Sequence, residues 1–260
     1  MLKILKYSFI DLARSRWTYV YLLFYLTLGF VLLFLNNDLG KGIITIMNII
    51  IILVPLISTI FGVMYYYNSA EFTELLLAMP INRPLIFIGQ YLGVAISLSI
   101  SLVLGLGIPF LIYGLSQSEA IWDFSLLLLI GSALSFIFTG LAFNLAMRND
   151  NKIKGFSYAI LLWLFLAVIY DGIFLMLLIV MEDYPLDVFA LIATAVNPID
   201  LSRILVLLKL DISALMGYTG AVFKSFAGTL PGMLVASGML FLWTAIPILG
   251  IFRKSRRKDF

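Results

Sequence analysis

The sequence predicts an all-α polytopic protein with six transmembrane helices, a short amphipathic helix on one side and re-entrant or interfacial helices in the last loop on the other. Composition leads to this fold class: 63% of the 260 residues are hydrophobic and 12% are charged, whereas soluble domains are about 45–50% apolar and about 25% charged. A soluble core of this size cannot hide so much apolar surface, but a bilayer accepts it at about 20 residues per helix.

Six apolar runs are long enough to span a bilayer. They form a single predicted transmembrane domain, residues 1–260, and an even number of spans places both chain ends on the same side. The predicted spans are residues 17–35, 43–67, 84–115, 124–147, 155–181 and 231–252.

Basic residues concentrate on the side of the two termini. With the termini and the second and fourth connections on one side, that side has thirteen Lys and Arg residues and the other has four. The positive-inside rule therefore predicts cytoplasmic termini. The basic tail after Gly250 is predicted to touch anionic membrane lipids rather than nucleic acid. Trp17, Trp122 and the run Tyr65-Tyr66-Tyr67 lie near span ends, as interfacial aromatic belts do.

The connection from Asn68 to Arg83 predicts a short amphipathic helix over residues 68–80. Asn68 with Glu71 three residues later resembles a capping box. Apolar residues recur at helical spacing, at Phe72, Leu75, Leu76 and Met79. The polar face carries Glu71 and Glu74 instead of the Lys and Arg typical of membrane-surface helices. We therefore favour docking on a soluble partner, with a position on the membrane surface as the alternative.

The connection over residues 182–230 is the one long loop, and it is predicted on the outer side. Its apolar stretches are too short to cross and are interrupted by Pro198, Gly217, Gly220 and Gly228. Non-helical backbone at membrane depth must be buried in protein or line a cavity. Re-entrant or interfacial helices in this loop are therefore predicted to shape an external mouth or a docking surface.

Asp171 is an acidic residue inside the fifth predicted span. A carboxylate in hydrocarbon is costly and marks a functional site by default. Its partner would be a helix amine, a hydroxyl such as that of Tyr170, or a proton. Two uses stay open: a structural or docking role at the outer loop, which we favour, and translocation.

The usual tools of catalysis and metal binding are missing. The sequence has no Cys and no His, which excludes thiolate and imidazole chemistry. It also lacks the phosphate-binding G-x-x-x-x-G-K-[ST] loop, so any ATP is expected on another chain. The methionines on the outer side are predicted to pack rather than to bind Cu(I). We predict no catalytic residue, no metal ligand and no cofactor bound by this chain.

One segment resembles a known group of membrane proteins. The run Glu74-Leu75-Leu76-Leu77-Ala78-Met79-Pro80-Ile81-Asn82-Arg83 resembles the E-x-L-L-x-x-P-x-x-R segment of six-span ABC exporter permeases, although Glu71-Phe72 stands where that group has Gly-Thr. The string Asp11-x-x-Arg14-x-Arg16-Trp17 resembles the interfacial first helix of the same group. The resemblance implies a coupling helix that contacts an ATPase through Glu71, Phe72, Glu74, Leu75, Leu76, Met79, Pro80 and Arg83.

Two outer strings narrow the resemblance to the NosY family, the permeases of NosDFY systems. The strings are Asn197-Pro198-Ile199-Asp200-Leu201-Ser202-Arg203 and Gly217-Tyr218-Thr219-Gly220-Ala221-Val222-Phe223. The Tyr170-Asp171 pair also resembles that family. The resemblance implies an outer partner or gate formed by Asn197, Pro198, Asp200, Arg203, Gly217, Tyr218, Thr219 and Gly220.

The resemblance implies a homodimeric permease in the inner membrane of a bacterium. It would bind two copies of a NosF-like ABC ATPase, which holds ATP and Mg, and a periplasmic NosD-like protein. Such complexes serve assembly of the copper–sulfur centre of nitrous oxide reductase, so copper is expected to be handled by the complex. The chain would then be a transporter subunit and not an enzyme. The alternatives are an ABC exporter permease for another small or lipophilic substrate and a proton-coupled secondary transporter that uses Asp171.

Overall fold

A computed structural model describes residues 2–36, 39–118, 120–180, 187–209 and 230–256. Within these ranges the secondary structure is helical, without strands. The helices are α1 (Leu2–Arg14), α2 (Arg16–Asn36), α3 (Leu39–Asn68), α4 (Ala70–Leu77), α5 (Arg83–Ile112), α6 (Ile121–Ala146), α7 (Lys152–Leu164), α8 (Tyr170–Val180), α9 (Asp187–Val196), α10 (Pro198–Lys209) and α11 (Leu230–Ser255). A π-helical segment, Phe165–Ile169, joins α7 to α8, and a 3₁₀ turn, Leu115–Gln117, follows α5.

Six helical segments of the described chain are long and apolar enough to cross a bilayer, which confirms the predicted fold class of a multi-pass membrane protein. The third span ends at Ile112 rather than at residue 115, because Gly114 adopts a φ of 94°, a left-handed conformation typical of helix ends. The spans are Arg16–Leu35, Leu39–Asn68, Arg83–Ile112, Ile121–Ala146, Lys152–Val180 and Met233–Ser255.

The second, third and fourth spans form the centre of the bundle. In their apolar windows 50% to 61% of the residues are buried, compared with 17% to 28% in the first, fifth and last spans. Of the fully buried aromatic side chains among the described residues, Tyr25 belongs to the first span and the others to these central helices, namely Tyr91, Phe87, Phe110, Phe138 and Phe143. The first, fifth and last spans therefore present the surfaces that contact lipid or another protein.

The first span packs closely against the third at Gly105. A Cβ added at Gly105 would lie 2.7 Å from the Cβ of Tyr25 and 3.0 Å from the carbonyl oxygen of Leu22. Gly107, two positions further along the same helix, faces open space. Small residues allow membrane helices to approach this closely, so Gly105 sets the distance between α2 and α5.

Replacement of Gly105 by valine is expected to destabilise the protein by about 1–3 kcal/mol, the usual cost of overpacking. Valine has to displace the backbone of α2, which cannot move away as a flexible side chain would. Gly107→Val is the matched control, because it adds the same side chain to the same helix without a neighbour. Thermal unfolding in detergent measures both variants, and equal melting temperatures would contradict the packing described.

Helices α9 and α10 form a bent pair in the half of the bundle away from α4. They are bent by 113° at the break between Val196 and Pro198, where proline fits the first turn of a new helix. Their 10 and 12 residues span about 15 and 18 Å at 1.5 Å per residue, too short to cross about 30 Å of hydrocarbon. The Trp243 indole N–H, from the middle of α11, donates to the Ala195 carbonyl at 3.0 Å. The corner is thus attached to the middle of the last span. A bend of this size fits either a re-entrant loop or a broken span, so the predicted re-entrant or interfacial helices stay a prediction.

Candidate functional site

Helix α4 is attached across the end of the bundle by contacts to two other helices. The Gln90 side-chain amide of α5 donates to the Thr73 hydroxyl at 2.8 Å. The Phe72 ring stacks on that of Tyr7 in α1, with centroids 4.5 Å apart. Because α4 also follows α3 after a single residue, a force on α4 acts on α1, α3 and α5 together.

The predicted capping box at Asn68 and Glu71 is wrong. The N-cap of α4 is Ser69, whose side chain makes no capping hydrogen bond. Asn68 is still part of α3, because the backbone N–H of Ser69 donates to the Tyr65 carbonyl at 2.9 Å and continues the helical ladder. The Asn68 side-chain oxygen instead accepts a hydrogen bond from Lys152 Nζ at 3.0 Å. The short helix therefore covers residues 70–77 rather than 68–80.

The apolar stripe predicted on α4 divides into two halves. Phe72 and Leu76 are half-buried against the bundle, whereas Leu75 and Met79 are 66% and 53% exposed. The two carboxylate side chains of the segment are exposed on the same outer side. We call this surface the α4 face and define it as Glu71, Glu74, Leu75 and Met79. Exposed apolar residues ringed by charge are typical of a contact surface for another protein.

Sequence reasoning missed the contribution of the connection between α6 and α7. The Tyr67 hydroxyl, at the end of α3, donates to the Asn149 carbonyl at 2.6 Å. The Asn151 side-chain oxygen then accepts the backbone N–H of Ile153 at 2.9 Å and caps α7. This connection is therefore fixed beside α4. Tyr67 was predicted as an interfacial anchor only, since no local pattern indicates a partner 82 residues away.

The Tyr170-Asp171 pair and the string from Asn197 to Arg203, both singled out in the sequence, meet in space. Arg203 Nη1 lies 2.9 Å from Asp171 Oδ2 and 3.6 Å from Asp200 Oδ1. Of the partners considered for Asp171, the structure thus has a basic side chain on a neighbouring helix. Two carboxylates share one guanidinium, and the Asp200 side chain is only 7% exposed. We call Tyr170, Asp171, Asn197, Asp200 and Arg203 the polar cluster.

Asn197 connects the polar cluster to the π-helical segment. Its side-chain N–H groups donate to the Leu166 carbonyl at 2.8 Å and to Asp200 Oδ2 at 2.9 Å. Its side-chain oxygen accepts the backbone N–H of Ile199 at 3.1 Å and caps α10. A π segment interrupts the regular hydrogen-bond ladder and recurs at functional sites. The Tyr170 hydroxyl adds a hydrogen bond to the Ala193 carbonyl at 2.6 Å, so both arms of the bent pair are attached to the fifth span.

Replacement of Asn197 by leucine is expected to destabilise the protein by about 1–3 kcal/mol, the cost of leaving buried polar groups without partners. The variant keeps the side-chain size but removes the donors to Leu166 and Asp200. Asn48→Leu is the control, because the exposed Asn48 amide bonds only to a carbonyl of its own helix. Thermal unfolding of both variants checks this result, and an unchanged melting temperature for Asn197→Leu would contradict it.

Some predicted residues lie outside the described part of the chain or apart from the two sites. The outer candidates Gly217, Tyr218, Thr219 and Gly220 fall outside the described residues. Arg83 lies at the start of α5, beyond the end of α4. Among the described residues, no group of three or more His, Cys, Asp or Glu side chains is placed to hold a metal ion.

Comparison with known proteins agrees with the segment and string resemblances. No protein-family model matches the chain. The chain is 23% identical over 194 residues to a probable ABC transporter permease protein, NosY, of Stutzerimonas stutzeri, with 71% of this chain and 67% of that protein covered. The resemblance to NosY is confirmed. Three residues of the polar cluster, Asn197, Asp200 and Arg203, belong to a string that carries the resemblance.

Proposed function

We propose that this chain is the membrane subunit of an ABC transporter and works as a homodimer with two copies of a partner ATPase. The observation that carries the proposal is the α4 face, which exposes Leu75 and Met79 beside two carboxylates. A surface of this kind suits a groove with apolar pockets and a basic rim. ATP and Mg would bind to the ATPase, and the α4 end of the bundle would face the cytoplasm.

The proposed mechanism transmits movement of the ATPase through α4 to the polar cluster. The Thr73–Gln90 hydrogen bond and the Phe72–Tyr7 stack tie α4 to the bundle. Helix α3 then runs without interruption for 30 residues toward the opposite end. In the half of the bundle away from α4, α10, which carries Asp200 and Arg203, packs against α3, α6 and α11. Tilting of α3 on ATP binding would therefore displace the bent pair and any protein that docks on it.

Single cysteines test the contact at α4, because the chain has no cysteine of its own. The Leu75→Cys variant, co-expressed with the NosF-type ATPase of the same genome, is labelled with benzophenone-4-maleimide and irradiated, so that the bound benzophenone inserts into a nearby C–H bond and the partner needs no cysteine. We expect a covalent adduct of the two chains. Ser116→Cys, exposed at the opposite end of the bundle, is the control and should give none. Equal yields from both positions, or no adduct from Leu75→Cys, would contradict the proposed contact.

The finer proposal is that the complex serves copper-site assembly of periplasmic nitrous oxide reductase together with a NosD-like protein. Its support is the name of the similar permease and the geometry of the polar cluster near the outer loop. The ion pair of Asp171 with Arg203 favours a structural or docking use of Asp171 over proton translocation. Copper content of the reductase from cells with Asp200→Asn, compared with Asp123→Asn as control, tests the proposal. Normal copper loading with Asp200→Asn would contradict it.

A second candidate is an ABC exporter permease for another small, lipophilic substrate. A cleft of about 280 Å³ between α1, α2 and α3 is lined mainly by apolar side chains, including Trp17, Phe61 and Met64. It shares Tyr65 and Asn68 with a more polar cleft of about 490 Å³ below α4. The pair of clefts suits an amphiphile. Normal nitrous oxide reductase in a strain that lacks this chain would favour this candidate.

A further inference from the structure

A third cleft lies between the start of α5 and the end of α11. It has a volume of about 420 Å³, and it is separate from the α4 face. Sequence reasoning treated Arg83 as a coupling residue and the tail as a general anchor, but the structure brings them to one place. The lining residues are Asn82, Arg83, Pro84, Leu85, Phe252 and Arg256.

The charge of this cleft suits an anion. Two guanidinium groups line it, one at the start of α5 and one just after α11, and the described lining residues include no carboxylate. The Arg256 guanidinium lies 4.2 Å from the centre of the Phe252 ring, and this stacking restricts its orientation. Arginine presents a planar fork of N–H donors that matches phosphate oxygens. The cleft is therefore adapted to a phosphate group rather than to a neutral or cationic ligand.

The position of the cleft indicates that its ligand also has an apolar part. It lies where α5 begins and α11 ends, at the level where the two spans leave the bilayer. Further along α11, Leu249, Ile246 and Leu242 are 56%, 53% and 61% exposed. Their spacing from Phe252 places them on one side of the helix. A ligand whose head occupies the cleft would thus have an apolar helix surface beneath it for its chains.

We propose that Arg83 and Arg256 bind the phosphodiester of an anionic phospholipid in this cleft. Phe252 and Leu85 form the apolar floor, and the acyl chains lie along the exposed stripe of α11. The bound lipid joins the start of the third span to the end of the last span. This site does not depend on contact with an ATPase, so the lipid site and the proposed transporter function can be tested separately.

Native mass spectrometry of the full chain with added phosphatidylglycerol tests the site. The double variant Arg83→Gln/Arg256→Gln is expected to bind the lipid at least tenfold more weakly, which corresponds to about 1.4 kcal/mol or more. Arg253→Gln is the matched control, because Arg253 is exposed in the last turn of α11 but does not line the cleft. It should change the affinity less than twofold. Equal affinities of the double variant and the control would overturn the proposal.

Two further arms identify the ligand and exclude misfolding. Phosphatidylcholine, which has a phosphodiester but no net charge, should bind at least tenfold more weakly than phosphatidylglycerol to the unaltered chain. Inorganic phosphate should not displace the lipid, and displacement at millimolar phosphate would show a free-anion site and overturn the lipid assignment. Arg256→Lys keeps the positive charge but lacks the planar set of N–H donors. Its affinity for phosphatidylglycerol should lie between those of the unaltered chain and the double variant. Its affinity keeps the test valid if the double variant fails to fold.

Discussion

Replacement of Arg203 by glutamine is expected to lower the stability of the protein by about 2 kcal/mol. This is less than the roughly 3–5 kcal/mol for removing one partner of a fully buried ion pair, because the Arg203 and Asp171 side chains are 23% and 27% exposed. Arg203 lies 2.9 Å from Asp171 and 3.6 Å from Asp200. Without it, two carboxylates face each other inside the bundle with no cation between them. Thermal unfolding in detergent and the yield of folded membrane protein measure the loss.

A double variant separates the ion pair from simple loss of packing. Asp171→Asn/Arg203→Gln removes one carboxylate together with the guanidinium, so it should recover a substantial part of the stability lost in Arg203→Gln alone. Lys41→Gln is the control, because it removes an exposed positive charge on α3. If Arg203→Gln melts at the same temperature as Lys41→Gln, the polar cluster does not stabilise the fold as described.

Reversal of charge at Glu74 is expected to give the largest functional effect. Glu74 is exposed on the α4 face beside Leu75. If a basic rim of the ATPase contacts this face, Glu74→Arg places like charges together at a cost of several kcal/mol. We expect loss of co-purification of the ATPase by at least tenfold and a matching loss of stimulated ATP turnover.

Asp123→Arg makes the same charge reversal at the opposite end of the bundle, at the start of α6. It should leave co-purification of the ATPase unchanged. A folded Glu74→Arg protein that retains its ATPase and its turnover would show that α4 is not the contact. The melting temperature of each variant separates a lost contact from a lost fold.

The number of spans can be predicted from the sequence because the bilayer sets the length and composition of each span. Every backbone polar group in hydrocarbon must be paired within the segment, and about 20 apolar residues are needed to cross. Local patterns are less informative at the ends of helices. Asn68 and Glu71 have the spacing of a capping box, but the tyrosine-rich end of α3 continues through Asn68. Where a helix ends depends on the residues that pack against its last turn, and those residues are distant in sequence.

In the polar cluster, too, local sequence patterns identified single residues but did not predict which of them are in contact. A charged residue in an apolar run identified Asp171, a break in the apolar stretches of the long loop identified Pro198, and the resemblance to the NosY family identified Asn197. Their meeting depends on the 113° bend of the bent pair and on the π-helical segment, which no periodicity in the sequence indicates. Similarly, the sequence contains Arg83 and Arg256 in two separate basic regions, and only the packing of α5 beside α11 brings them to one cleft.

The π-helical segment Phe165–Ile169 also fixes the rotational register of the fifth span. Such a segment carries one extra residue in an otherwise regular helix, and one residue corresponds to about 100° of rotation. The half of the span that follows is therefore turned by that amount relative to the half that precedes it. In a continuous α-helix, Asp171 would point in a different direction. The span could then not pack α7 against α3 and direct Asp171 toward Arg203 at the same time. The ion pair thus depends on the length of the chain between α7 and α8 as much as on the two charged residues.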